Sequence, residues 1–313
     1  MGLIVATVNM KGGVGKTTLA VNLAACLAKN HGKRVLVVDL DTQISATLSL
    51  MPPHDFAKIR KERRTFSHLV YKAIKPNGRV TLPIQDIICR YVATVKGLDL
   101  LPGDIDLYDE FLVSEMLHEK AVKDAQVDFS QIWNRFEKML VRGILQPIIN
   151  DYDFIILDCA PGYNLLTRSG ILASNFYLLP ARPEPLSIVG IQLLERRIAK
   201  LKESHNLDKN ALNIKLLGIA FIMSGGIIGR YYQQVIQRVN EDFTPAQIFK
   251  TRIPMDVNVA KAVDSFLPVV LEAPGSSGSK ALIKLTQEFL YKLETFDSLY
   301  EANKTKIKLS KLD

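Results

Sequence analysis

The chain has 313 residues, 48% of them hydrophobic and 23% charged, with a formal net charge of +8 and a pI near 9.2. That length and apolar content can bury a large core in one domain or two smaller ones, and no apolar run approaches the roughly 20 residues that a membrane-spanning helix requires. Cys26, Cys89 and Cys159 lie far apart without C-x-x-C spacing, and His31, His54, His68, His118 and His205 show no metal-ligand spacing.

In chain order, the apolar stretch 3–8 reads as a strand and the stretch Leu19 to Lys29 as a helix. Between them lies Met10-Lys11-Gly12-Gly13-Val14-Gly15-Lys16-Thr17-Thr18. Glycines remove the Cβ atoms that would block the backbone, so successive N–H groups turn toward phosphate oxygens at the positive end of the following helix. In such a phosphate-binding loop Lys16 reaches the β and γ phosphates of ATP and the Thr17 hydroxyl completes a magnesium shell. The pattern G-x-x-x-x-G-K-[ST] needs glycine where this chain has Met10, and the added Lys11 is the more informative departure.

Further apolar runs follow at 35–38, 98–101, 154–157, 176–179 and 215–222, alternating with helical stretches. That alternation predicts an α/β fold with a doubly wound, mostly parallel sheet flanked by helices. Asp39, Asp41 and Asp158 each follow a strand-like run, where carboxylates can hold metal-bound waters and orient an attacking water. A strand-ending aspartate can also cap the next helix.

Four blocks together resemble the ParA/MinD family of deviant Walker ATPases. They are the K-G-G-x-G-K-T loop from Lys11, Asp39-Leu40-Asp41-Thr42-Gln43 with threonine in place of the family's proline, the Walker B run Phe154 to Asp158, and the late segment Ile253-Pro254. The blocks keep family order from residue 1 to about 297. The resemblance implies a P-loop NTPase with ATP and magnesium as cofactors and slow hydrolysis to ADP and phosphate. Asp41 would position the attacking water, Asp39 would lie near magnesium, and Asp158 would bind it through water. Gly12, Gly13, Val14, Gly15, Lys16, Thr17 and Thr18 would hold the phosphates, with Met223 and Pro254 near adenine. Lys11 would cross a two-fold interface to the partner's phosphates, so that ATP joins two chains into a homodimer and hydrolysis releases them.

Residues 1–297 are expected to form one ATPase domain with an insertion at roughly 52–150, followed by a basic tail at 298–313. The insertion carries a cluster of Lys58, Arg60, Lys61, Arg63 and Arg64 and a helical segment from Asp128 to Ile149. Trp133 and Phe136, at i and i+3, read as a packed helix face. Such a connection is where partner-specific contacts are expected.

The basic balance favours polyanions, so nonspecific DNA is an expected partner, with Arg230, Arg238 and Lys261 as contact candidates. Asn258 stands where the family often has a basic residue. No helix-turn-helix domain precedes the first strand, so sequence-specific operator binding is not expected. The implied activity is positioning or partitioning of a plasmid or carboxysome on the nucleoid of the cytoplasm, with a ParB-like or McdB-like adaptor that stimulates hydrolysis. The alternative is a MinD-like, membrane-associated regulator of division-site placement. That alternative would need the tail, whose lysines and aliphatic residues alternate with a strand-like period without an aromatic anchor. A frayed, solvated end is the expectation there, and membrane contact is not. A third reading, a metabolic ligase on the same fold, is not expected, because the chain shows no amide-transfer or metal-cluster residues for it.

Overall fold

The computed structural model describes residues 2–74, 82–123, 128–205, 214–224 and 230–309. Among the described residues seven strands form one sheet: β1 (Leu3–Thr7), β2 (Val35–Leu40), β3 (Leu98–Leu101), β4 (Phe154–Cys159), β5 (Phe176–Ala181), β6 (Lys215–Ser224) and β7 (Ile253–Pro254). Every pairing between them is parallel, in the order β3-β2-β4-β1-β5-β6-β7. The runs are continuously apolar because both faces of the sheet are covered. All six residues of β2, β4 and β5 are buried.

Side chains leave a strand alternately to the two faces. Ile4, Leu36, Val38, Ile155 and Leu157 therefore join one core, whereas Val5, Val35, Val37, Phe154 and Ile156 join the other. The helices named here are α1 (Lys16–His31), α2 (Pro53–Lys61), α3 (Phe66–Ile74), α4 (Glu110–Lys123), α5 (Phe129–Leu145), α6 (Leu165–Ala173), α7 (Pro185–His205), α8 (Arg230–Asp242), α9 (Val257–Asp264) and α10 (Ser277–Leu309). Helix α10 lays Leu282, Leu285, Phe289 and Leu293 in the core that contains Leu19, Leu23 and Leu27 of α1. Truncating one such leucine to alanine costs about 2–5 kcal/mol.

Each predicted run forms a strand, and β7 is a two-residue addition. The predicted insertion is built into the sheet, since β3 pairs with β2 along Val35–Val38. Its predicted helix begins at Phe129, capped by the Asp128 carboxylate, and ends at Leu145. Trp133 and Phe136 pack against the core as expected. Helix α10 runs through Leu309, so the first part of the segment 298–313 continues that helix. No helix among the described residues is long and apolar enough to cross a membrane.

Candidate functional site

Strand β1 lies at the point where the chain first leaves toward β2 and later crosses to β5, the position at which parallel sheets open a crevice for ligands. Register places Thr7 of β1 and Asp39 of β2 opposite Asp158 of β4, all at the carboxyl edge. The loop from β1 to α1 sits over that edge. Gly13 and Gly15 adopt φ of 68° and 89°, and a Cβ on Gly15 would stand 2.9 Å from Ile222 Cγ2 of β6. Gly15 also precedes α1 as its N-cap, so the free N–H groups of the first turn face the crevice. Gly12 has open space around its Cα, and Val14 is buried.

Lys16 is buried and donates from Nζ to the Lys11 carbonyl at 3.0 Å. Burial holds its ammonium below the usual lysine range, against the pull of the Asp158 and Asp41 carboxylates. Thr17 Oγ1 donates to Asp158 Oδ2 at 2.7 Å, and Thr7 Oγ1 donates to Asp158 Oδ1 at 3.3 Å. Thr18, in the first turn of α1, accepts through its carbonyl from Asn22 Nδ2.

Asp39 is fully buried and receives three donors: the Asp41 amide at 3.1 Å, the Thr47 amide at 2.8 Å and Thr47 Oγ1 at 2.8 Å. It organises the loop that carries Asp41. Asp41 Oδ1 accepts from the Gln43 amide at 3.0 Å. Burial pushes the Asp39 carboxyl up, and burial followed by the charge of Asp39 pushes Asp158 up. A buried carboxylate cluster facing one lysine favours a divalent cation.

The arrangement fits magnesium held largely by water and phosphate. Thr17 and Asp158 supply hard oxygen donors side by side, while among the described residues no three His, Cys, Asp or Glu side chains gather into a complete cage. The two faces of the loop are closed by residues that the motif does not contain. Asn9 donates from Nδ2 to the Pro180 carbonyl at 2.8 Å and accepts the Lys11 amide at 2.9 Å. The Gly162 amide donates to the Met10 carbonyl. Lys11 Nζ, half exposed, pairs with Glu184 Oε2 at 2.7 Å.

The phosphate loop thus carries one lysine buried beside the Asp158 and Asp41 carboxylates and one half exposed on Glu184. A family described as an AAA domain matches residues 2–214. The chain is 31% identical over 288 residues to the sporulation initiation inhibitor protein Soj of Bacillus subtilis, covering 92% of this chain and 98% of Soj. The chain belongs to the ParA/MinD family of P-loop ATPases. Among solved structures, apo McdA from Cyanothece superposes with a TM-score of 0.68 at 18% identity over 93% of this chain and all of McdA. Cobyrinic acid a,c-diamide synthase from Mycobacterium smegmatis, solved with ADP and magnesium, gives 0.65 at 22% identity over 94% of this chain and 96% of the synthase. At those identities the likeness is one of fold.

Of the other sequence candidates, Pro254 pairs with Ser224 across β7 and β6, on the strands that flank Gly15 through Ile222. Met223 lies inside β6, and its side chain is outside the described set, as is that of Arg230 at the start of α8. Arg238 on α8 and Lys261 on α9 are exposed. Sequence reading missed Thr7, Asn9, Thr47 and Glu184. A threonine eight residues after the strand-ending Asp39, and an asparagine directly ahead of the loop, were the available signals.

Proposed function

We propose that this ParA/MinD ATPase is a ParA-type switch: ATP pairs two chains, the pair binds DNA nonspecifically, and an adaptor on a large cargo stimulates hydrolysis and release. The observation that supports it is the division of labour between the lysines. Lys16 is committed to its own loop, while Lys11 is exposed and held only by a surface ion pair, which contributes about 0–1 kcal/mol. It is free to exchange Glu184 for phosphate oxygens of a second chain, where a cation supplied in trans stabilises transferring charge.

In this reading the loop amides, Lys16 and Thr17 bind and orient the phosphates and magnesium. Asp41 holds the attacking water, with Asp39 and Thr47 fixing its position. Arg238, Lys261 and the lysines toward the end of α10 supply cations for DNA. The cargo is a plasmid or a carboxysome-like body, the nucleoid is the track, and weak basal turnover lets the adaptor set the timing.

The test is binding of the purified chain to an unrelated duplex with ATP, ADP or no nucleotide at two salt concentrations, alongside light scattering for mass. Salt-sensitive binding by an ATP-dependent dimer is the expected result. A monomer that ignores DNA but sediments with anionic vesicles would instead establish the division-site alternative.

A further inference from the structure

Glu137 of α5 is buried although it belongs to none of the ATPase motifs, and three helices meet on its carboxylate. Arg168 of α6 donates from Nε to Glu137 Oε1 at 2.5 Å, and His205, the last residue of α7, sets Nε2 3.5 Å from Oε2. Helices α5 and α6 are fastened without this pair. The Ser169 hydroxyl accepts the Val141 amide at 2.9 Å, and Leu140, Val141, Leu166 and Ile171 share one core. A buried ion pair adds little net stability over apolar side chains of the same volume, so its value lies in what the guanidinium does with its remaining donors.

Arg168 Nη1 donates to the Tyr163 carbonyl at 2.8 Å. Tyr163 lies in the loop 160–164, which joins the end of β4 to α6 directly after Asp158 and Cys159. Its hydroxyl donates to the Arg197 carbonyl of α7 at 3.0 Å. Its ring packs against the guanidiniums of Arg197 and Arg168, 5.3 Å and 5.7 Å from the centroid.

One residue earlier, Gly162 takes φ of 92° and its amide donates to the Met10 carbonyl at 3.1 Å. Met10 precedes Lys11, whose own carbonyl is held by Lys16. A single planar fork, with the buried carboxylate on one donor and the loop on another, therefore ties the core to the segment that touches the entry of the phosphate loop.

We propose that Arg168 is a positioning residue for ATP hydrolysis. Anchored on Glu137, it holds the loop 160–164 and, through the Gly162 amide, fixes the Lys11 end of the phosphate loop relative to Asp158. Phosphoryl transfer depends on placement more than on covalent chemistry, so a displaced loop is felt in the chemical step rather than in nucleotide binding. This rests on the hydrolysis step of the reading above, and on neither its DNA step nor its adaptor step.

The test is Arg168→Lys, which keeps a cation for Glu137 but lacks the fork that reaches the Tyr163 carbonyl as well. In phosphate-release kinetics kcat should fall about tenfold or more, while KM for ATP stays within about twofold. Hydrogen exchange at the Gly162 amide should accelerate while the amides of β4 keep their protection. The double variant Glu137→Leu with Arg168→Leu removes both charges together, which spares the fold an unpaired buried ion, and should show the same loss of kcat. If the pair only fastens helices, Tm falls while kcat per folded chain and the Gly162 amide stay as in wild type. That result, or unaltered kcat in both variants, would overturn the proposal. A wild-type chain that does not hydrolyse ATP would sink the hydrolysis reading and this role with it, whereas wild-type turnover indifferent to Arg168→Lys sinks the positioning role alone.

Discussion

Thr47 holds one oxygen of Asp39 twice, from its amide and from its hydroxyl, each at 2.8 Å, and the same hydroxyl accepts the Gly103 amide. Thr47 thereby ties β2, which carries Asp39, to the segment that follows β3. Thr47→Val keeps the shape but removes a donor to a buried carboxylate and an acceptor for a buried amide. The Gly103 amide loses its acceptor, which costs about 1–3 kcal/mol, and Asp39 keeps two of its three donors, so a loss of roughly 2–4 kcal/mol is expected in urea unfolding. ATP turnover should fall more than ATP affinity, because Asp41 loses its support.

Gly15→Ala tests the packing of the phosphate loop. The added methyl meets Ile222 at 2.9 Å and φ of 89° is hostile to any Cβ, a strain of about 1–3 kcal/mol. Nucleotide affinity should drop at least tenfold by calorimetry. Adding Ile222→Ala restores space but not backbone freedom, so recovery should be partial; full recovery would show that crowding alone was responsible.

Lys16→Ala is expected to abolish ATP binding, and Asp41→Ala to retain it while hydrolysis stops. Filter binding and phosphate release on the same preparations distinguish them. An Asp41→Ala chain that hydrolyses at the wild-type rate would remove Asp41 from the mechanism.

Lys11→Ala should leave nucleotide affinity within a few fold and eliminate the ATP-dependent dimer in light scattering. Glu184→Gln, which removes the carboxylate that pairs with Lys11 and, at 3.9 Å, with Arg182, should change stability by less than about 1 kcal/mol and preserve dimerisation.

Acid should expose the contribution of Asp104. Burial raises its carboxyl, but hydrogen bonds from Thr65, the Asp106 amide, Arg60 and Ser67 together outweigh burial and hold it below the usual aspartate range. A folded-state pKa below the unfolded value gives stability that is complete above the unfolded pKa, about 4, and is lost as pH falls through the folded one. The stability gap between wild type and Asp104→Asn should be constant from pH 7 to about 5 and shrink below 4. A gap that widens in acid would reverse the assigned sign.

The strands and the phosphate loop were legible because both are local. Val35–Val38 is apolar without alternation since both its faces are buried, and the glycines, Lys16 and Thr17 are adjacent in the chain. The clasp of Lys11 on Glu184 spans 173 residues, and no local pattern encodes a pairing created by the crossover to β5. Two-residue β7 is too short for any period to register.

The bond from Lys16 Nζ to the Lys11 carbonyl makes the two lysines one thermodynamic unit. An ammonium has three protons, so Lys16 can keep that carbonyl and still offer two donors to phosphate, arriving with its rotamer entropy already spent. The backbone of Lys11 is then positioned by the side chain that reads the chain's own nucleotide. A substitution at Lys16 is consequently also a perturbation of the Lys11 backbone, whereas a side-chain substitution at Lys11 leaves the bonded carbonyl in place.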